Sequence, residues 1–264
     1  MITILTPTYN RAYTLTRLYN SLLVQNREKF EWVIVDDGST DKTSELINSF
    51  ISDQLINIKY FYQDNQGKPS AINFGVKNSS GSYVFIVDSD DMVTQDCIKI
   101  LEEKIEFHEM NQDVFSGICF RKGNIDGTLL GRSIENLDAN YMLYHSTDLK
   151  NDLNVDLAYC FKKNLLLENP FPKIGKEKFV PELYIWNKIT DMAKVYLYPN
   201  TIIYLVEYLP DGLTADFKKQ LKKYPRGFLL YYKDQFLREK SLKNKIKMLI
   251  RVTQCNLYKY MRKE

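Results

Sequence analysis

The chain of 264 residues has few of the residues that build metal or disulfide sites. It contains only two histidines, His108 and His145, and its four cysteines lie far apart without CxxC spacing. This spacing predicts reduced cysteines and does not match the common zinc-site patterns. No apolar run approaches the roughly 20 residues that a helix needs to cross a bilayer. Met1 leads directly into ITILTP, without the basic region and cleavage site of a secretory signal. We therefore expect a cytoplasmic protein.

Acidic residues are scarce towards the C-terminus. From Phe217 to Glu264 the chain has 15 Lys or Arg against three Asp or Glu, whereas residues 1–216 hold 21 basic and 30 acidic residues. This division predicts an acidic body followed by a basic tail.

Residues 1–90 alternate between the two hydrophobic periods of secondary structure. Short runs rich in β-branched and aromatic residues occupy 2–7, 32–37, 58–63 and 83–88, and apolar residues spaced by three and four lie between them. Such alternation predicts an α/β domain of Rossmann-like type, with parallel strands and helices on both faces. Later in the chain we predict a helix near 95–108, another over about 181–192, and strands near 194–198 and 201–209. In parallel sheets, ligands bind beyond the carboxyl ends of the strands.

Polar residues follow each of the four predicted strands. TPTYN follows the first, VDDGS the second, NQGKPSAIN the third and VDSDD the fourth. The last motif places Asp88, Asp90 and Asp91 within four residues, and like charges this close raise the cost of ionising one another. A divalent cation is the simplest partner for them. Taken alone, each motif also fits an ordinary turn or helix cap; their order and spacing together are what is specific.

This combination resembles the family 2 glycosyltransferases, which have the GT-A fold. The resemblance is close over 2–110 and weaker to about 214. It implies a nucleotide-binding half over 1–110, an acceptor half over 111–214 and a helical extension over 215–264. It also implies inverting transfer of a hexose or N-acetylhexosamine from a UDP-sugar. The acceptor would be a hydroxyl of a glycan or polyprenyl-linked glycan, in the synthesis of a bacterial surface polysaccharide.

The same resemblance implies roles for individual residues. Pro7, Tyr9 and an acid of the second strand would bind the base, with Asp37 a better match than Asp36. The full set expected to contact the nucleotide-sugar is Thr6, Pro7, Tyr9, Asp36, Asp37, Gly67, Lys68, Asp88, Ser89 and Asp90. Gly67 suits a close approach of the ligand, and Lys68 would add positive charge near the phosphates; a solvated surface lysine is the alternative.

Asp88–Ser89–Asp90 corresponds to the family's DxD motif. Asp90, with Asp88 beside it, would hold Mg²⁺ or Mn²⁺ on the diphosphate. Carboxylate oxygens suit these cations, and phosphates and water complete the coordination.

The family's general base lies well past this motif, at the start of a helix. Glu182, after Val180–Pro181, is the predicted base, and Glu177 is the alternative because Leu183 stands where relatives often have a second acid. A further interpretation is that Glu182 only stabilises the first turn of the helix, because its negative charge interacts favourably with the helix dipole. Trp186 fits either an acceptor-sugar platform or the core, and the resemblance makes Asp211 in YLPDGLT a candidate donor contact.

Two other function classes remain. A nucleotidyltransferase also uses paired aspartates at strand ends, but no Gly–x–Gly–x–x–Arg signature follows the first strand. A non-catalytic nucleotide-binding module would give Glu182 no role.

The basic tail contains apolar and aromatic residues among its lysines. Basic amphipathic helices suit the surface of an anionic bilayer. We therefore predict a peripheral position at the inner face of the cell membrane. The alternative is that the apolar faces pack on the body or on a second subunit, as in a homodimer. No nucleic-acid recognition motif accompanies the charge, so nucleic acid is not an expected partner.

Overall fold

The computed structural model describes residues 1–132, 140–207 and 217–261. Its first part contains β1 (Ile2–Thr8), α1 (Ala12–Leu23), β2 (Phe30–Asp36), α2 (Thr43–Ser52), β3 (Ile58–Tyr62), α3 (Lys68–Asn78), β4 (Tyr83–Ile86), β5 (Met92–Val93) and α4 (Cys97–Met110). The second part contains β6 (Gly117–Asn124), β7 (Met142–Tyr144), α5 (Ser146–Leu153), β8 (Leu157–Lys162), α6 (Lys163–Glu168), α7 (Leu183–Met192) and β9 (Val195–Val206). The basic tail forms α8 (Phe217–Lys223), α9 (Pro225–Arg238) and α10 (Leu242–Met261).

The described strands form one sheet in the order β3-β2-β1-β4-β8-β6-β9-β5, with β7 paired to β9. The first four strands are parallel, which confirms the prediction for residues 1–90. Beyond β4 the sheet is mixed, because β8 runs antiparallel to both β4 and β6. The strands predicted near 194–198 and 201–209 are a single strand, β9, whose pairing with β6 shifts register near Phe120 and Arg121.

Helices cover both faces of the sheet, so the central strands are buried on both sides. All seven residues of β1 and all seven of β2 are buried, as expected for parallel strands that helices cover on both faces. One core cluster contains residues of α1, α2 and α4, and the other contains residues of α3, α5, α6 and α7. All four cysteines are buried and unpaired, as predicted.

The tail begins with helices that pack on the body. In α9, Gln235 is buried and its side-chain oxygen accepts a hydrogen bond from Asn187 of α7 at 2.9 Å. Helix α10 packs on α9 around Phe228, Tyr232 and Cys255. For the buried face of α9, the structure therefore supports the alternative that the tail packs on the body of the protein. None of the helices in the described ranges is long and apolar enough to span a membrane.

Candidate active site

The predicted site residues meet at one edge of the sheet, where β1, β2 and β4 end. Register places Thr8 of β1 beside Asp36 of β2, and Leu5 of β1 beside Ile86 of β4. The polar segments after these strands therefore converge at the carboxyl edge, which is where an open α/β sheet binds its ligands.

The end of β1 and the residue after it, Tyr9, differ in exposure. Tyr9 is 47% exposed, whereas Pro7 is buried. Thr6 is also buried, and its hydroxyl accepts a hydrogen bond from the indole nitrogen of Trp32 at 3.0 Å. A direct contact between the Thr6 side chain and a ligand is therefore not what the structure favours, since this hydroxyl faces the core. Thr8, which the sequence did not single out, has a buried hydroxyl oxygen without a hydrogen-bond partner in the structure.

Asp36 and Asp37 are both buried and already hydrogen bonded. Asp36 accepts from the backbone N–H of Ser39 at 2.8 Å and from the hydroxyl of Tyr60 at 3.0 Å. Asp37 accepts from three donors of the segment before α3: the Gln63 side chain and the backbone N–H groups of Gln66 and Gly67, at 2.6–2.8 Å. An ionised carboxylate offers about four lone-pair sites. Asp37 thus keeps capacity for one further donor, and its contact with a base stays a prediction.

Gly67 is required by protein packing rather than by an open ligand approach. Its φ is +94°, and a Cβ there would lie 1.9 Å from the carbonyl oxygen of Lys178. The space that we assigned to a ligand is filled on that side by the segment that leads to Glu182. Any side chain at this position would push the two segments apart.

Lys68, the first residue of α3, is an ion-pair partner and not a solvated surface lysine. Its Nζ lies 2.6 Å from a carboxylate oxygen of Asp88 and 2.6 Å from one of Glu182. Burial alone would lower the pKa of Lys68, but the charges of Asp88 and Glu182 outweigh it and raise that pKa. The lysine therefore stays protonated between the two acids.

The acidic loop after β4 is held by residues from distant parts of the chain. Tyr204 of β9 accepts a hydrogen bond from the backbone N–H of Asp88 at 3.0 Å and donates its own to the carboxylate of Asp91 at 2.6 Å. Arg17 of α1 donates to the backbone carbonyl of Asp90. No local sequence signal identifies Tyr204 or Arg17, because each reaches the loop only through tertiary packing.

The charges in this loop are as crowded as the sequence indicated. Burial and then the charge of Asp88 raise the pKa of Asp90, and the same two causes raise the pKa of Asp91 to about 6. Burial also opposes ionisation of Asp88, but the Lys68 ammonium outweighs it and lowers the Asp88 pKa. A further positive charge beside Asp90 would relieve this crowding.

A divalent cation fits the loop only if the substrate supplies some of its ligands. Within 1–132, 140–207 and 217–261, no group of three or more His, Cys, Asp or Glu is arranged to hold a metal by itself. Asp88 is paired with Lys68 at 2.6 Å, whereas the Arg11 guanidinium lies 3.9 Å from the Asp90 carboxylate. One carboxylate with a raised pKa, completed by phosphate oxygens and water, is a suitable donor set for Mg²⁺ or Mn²⁺.

The structure separates the two candidate bases. Glu182 precedes α7, and its side chain is 33% exposed next to Lys68 and the acidic loop. The carboxylate of Glu177 instead accepts the backbone N–H groups of Arg226 and Gly227 at 3.0 and 2.9 Å, in the first turn of α9. Glu177 therefore caps a helix of the tail, and Glu182 is the acid that faces the site.

Trp186 is a core residue. It is 5% exposed and packs against the rings of Tyr159, Phe161 and Phe171, with ring centroids 5.0–5.9 Å apart. Of its two interpretations, the sugar platform is therefore not supported. The segment with Asp211 lies outside the described residues.

Comparison with known proteins gives matches along most of the chain. The sequence model described as "Glycosyl transferase family 2" matches residues 3–174. Glycosyltransferase GlyA of Streptococcus pneumoniae serotype 4 is 30% identical over 216 residues, which are 77% of this chain and 29% of GlyA. A Rickettsia felis glycosyltransferase is 37% identical over 126 residues, 48% of this chain and 20% of that protein. The chain thus spans less than a third of the length of these two relatives.

Solved structures share the fold at low sequence identity. S. aureus TarS 1–349 in complex with UDP-GlcNAc superposes with a TM-score of 0.68 at 18% identity, covering 96% of this chain and 71% of that one. The mannosyltransferase PcManGT of Pyrobaculum calidifontis, in complex with GDP-Man and Mn²⁺, has a TM-score of 0.61 at 18% identity, covering 97% of this chain and 73% of that one. These likenesses confirm the α/β fold expected from the sequence.

Proposed function

The chain belongs to the family 2 glycosyltransferases, and from this premise we propose that it transfers a hexose or N-acetylhexosamine from a UDP-sugar to an acceptor hydroxyl with inversion. The observation that carries the proposal is the contact of Lys68 with both Asp88 and Glu182. This contact supports the proposal because a single displacement at the anomeric carbon requires the base, proposed to be Glu182, to lie near the diphosphate, which we propose binds at the acidic loop. TarS shares this fold, and its structure contains UDP-GlcNAc, which supports a UDP-sugar as donor.

In the proposed reaction, Glu182 takes the proton of the acceptor hydroxyl while the hydroxyl oxygen forms a bond to the anomeric carbon. The bond from that carbon to the diphosphate breaks, and its electron pair leaves with UDP. Tyr204 and Arg17 hold the acidic loop in place during this step. Mg²⁺ or Mn²⁺ bound at Asp90, with Asp88 next to it, would offset negative charge on the departing diphosphate.

Release of UDP from UDP-GlcNAc, with water as acceptor, tests the proposal. We expect release by the unaltered protein with Mn²⁺ and a loss of about 10²-fold in Glu182→Gln, the effect of a missing general base, with UDP affinity retained. A thermal-shift panel of UDP-, GDP- and dTDP-sugars identifies the donor, since a ligand at about 100 times its Kd stabilises by about 2.7 kcal/mol. Binding without turnover under all conditions would favour a non-catalytic module, and pyrophosphate release from a nucleoside triphosphate would favour a nucleotidyltransferase.

We further propose that α10 brings the enzyme to an anionic membrane surface, where a glycan or polyprenyl-linked glycan is the acceptor. One face of α10 packs on α9, and the opposite face carries exposed apolar residues: Leu242, Ile246, Leu249, Ile250, Leu257 and Met261. Lysines flank this apolar face along the helix. Each Lys or Arg near an anionic surface contributes about 1 kcal/mol of attraction.

Flotation with vesicles tests this surface in the full chain, because removal of the whole tail would also remove α9 from the body. We expect the unaltered protein to float with anionic vesicles at low salt, and Ile246→Ser/Ile250→Ser/Leu257→Ser not to float. Met110→Ser/Val114→Ser is the control, since those residues are equally apolar and 83% and 81% exposed outside the tail. Failure of the unaltered protein to float, together with dimers in sedimentation that the triple variant abolishes, would assign the face to a second copy instead.

A further inference from the structure

Lys68 makes two contacts that its expected role in phosphate binding does not explain. An ammonium group has three N–H donors, and here two carboxylates, those of Asp88 and Glu182, lie within 2.6 Å of it. Its side chain is 20% exposed, so the group lies between the two acids rather than in open solvent. The carboxylates it joins are 94 residues apart in the chain and belong to the donor side and the acceptor side of the proposed reaction.

The backbone of Lys68 is fixed from both sides. The preceding residue, Gly67, donates its N–H to Asp37 at 2.7 Å and packs against the backbone of Lys178. Lys178 is four residues before Glu182 in the same segment. Two adjacent residues at the start of α3 therefore contact this segment, Gly67 through backbone packing and Lys68 through the ion pair with Glu182.

From this geometry we propose that Lys68 is a positioning residue, which holds the Glu182 carboxylate at a fixed distance from the acidic loop. The inference rests on the proposed function, because it assumes that Glu182 is the base. Each of the two carboxylate oxygens lies 2.6 Å from the Nζ of Lys68. The distance between these two oxygens therefore cannot exceed the sum of the two contacts. Without the ammonium they would repel each other, and Glu182 would move away from the position where the anomeric carbon is attacked.

Positioning predicts a different kinetic effect from phosphate binding. A residue that binds the diphosphate stabilises bound UDP, so its loss weakens UDP affinity. A residue that places the base leaves UDP affinity unchanged, and its loss lowers turnover, because misplacing a catalytic group by about 1 Å can cost about 10²-fold in rate.

The test uses Lys68→Met, Lys68→Arg, Glu182→Gln and the double variant Lys68→Met/Glu182→Gln, each in the full chain. UDP affinity is measured by calorimetry, and turnover by UDP release from UDP-GlcNAc with Mn²⁺. Lys59→Met is the matched control, because Lys59 forms an ion pair with the buried Glu31 at 2.7 Å on a different part of the sheet. This control shows what breaking a carboxylate pair costs when it cannot affect the base.

We expect Lys68→Met to lose about 10-fold to 100-fold in turnover with UDP affinity unchanged, and Lys68→Arg, which keeps the charge, to recover most of the loss. The double variant should turn over no more slowly than Glu182→Gln, since residues that act as a unit are not additive. Weaker UDP binding with unchanged turnover in Lys68→Met, or losses that multiply in the double variant, would overturn the inference. Normal turnover in Glu182→Gln would refute the base, and the positioning role with it. If the unaltered protein releases no UDP from any UDP-sugar, the proposed function itself fails.

Discussion

Substitutions at Glu177 and Glu182 should produce opposite effects on stability and on turnover. Glu177 accepts two backbone N–H groups at the first turn of α9, and Gly227 in the same turn packs so closely that a Cβ would lie 2.0 Å from the carbonyl oxygen of Phe179. Glu177→Ala removes both hydrogen bonds and a negative charge at a helix N-terminus. Loss of such a cap costs about 0.5–2 kcal/mol, and the lost charge costs about 0.3–1 kcal/mol more.

We therefore expect Glu177→Ala to lower the free energy of unfolding by about 1–3 kcal/mol, which corresponds to about 2–4 °C in Tm per kcal/mol for a protein of this size. Urea denaturation followed by circular dichroism measures the first quantity and a thermal melt the second. Glu177→Gln keeps an acceptor oxygen for the helix. Its amide cannot take a proton, but we assign the proton transfer to Glu182, so this variant should retain turnover. Glu182→Gln should show the reverse pattern, with stability largely kept and UDP release reduced by about 10²-fold.

One result would refute this reasoning. If Glu177→Gln lost as much turnover as Glu182→Gln, at a temperature where both variants are folded, then Glu177 would be the base and its contact with α9 would be secondary. A loss of stability without loss of turnover in Glu177→Ala identifies the residue as a link between the segment 174–180 and the tail.

Three further predictions follow from burial and charge. Asp90→Ala should abolish metal-dependent UDP binding in calorimetry while leaving the free energy of unfolding equal or higher, because the Asp90 pKa is raised and its ionised form is therefore unfavourable in the fold; near-normal turnover in this variant would refute the metal site. Trp186→Ala should lower the free energy of unfolding by about 3–5 kcal/mol, as expected for a buried aromatic residue. Unchanged stability in urea denaturation would instead favour a role for Trp186 in binding the acceptor sugar. Glu31 is buried, and although burial raises its pKa, the ion pair with Lys59 and hydrogen bonds from Thr3 and the backbone outweigh this and hold that pKa below its ordinary value. Its contribution to stability is therefore full above the pKa of an unfolded glutamate, about 4.3, and is lost as the pH falls through the lower pKa of the folded state. Glu31→Gln should thus flatten the decline of Tm in acid, and an unchanged acid profile would contradict the assignment.

The local sequence determined the first half of this protein. The strands β1 to β4 and the helices between them follow from hydrophobic period, and the parallel arrangement follows from their alternation. The acidic loop was predicted in the same way, because carboxylates adjacent in the chain are adjacent in space whatever the fold. Its crowding then appears in the raised pKa values of Asp90 and Asp91.

Contacts between distant parts of the chain were decided only by the tertiary structure. The sequence left Glu177 and Glu182 as alternatives, and it left Trp186 divided between the core and the acceptor site. Residues spaced along one segment can face different partners, and only packing shows that Glu177 faces α9, Trp186 faces the aromatic core and Glu182 faces Lys68. The antiparallel insertion of β8 and the docking of α9 have the same origin. Each depends on apolar surfaces that are brought together from far apart in the chain, and no local period encodes such a pairing.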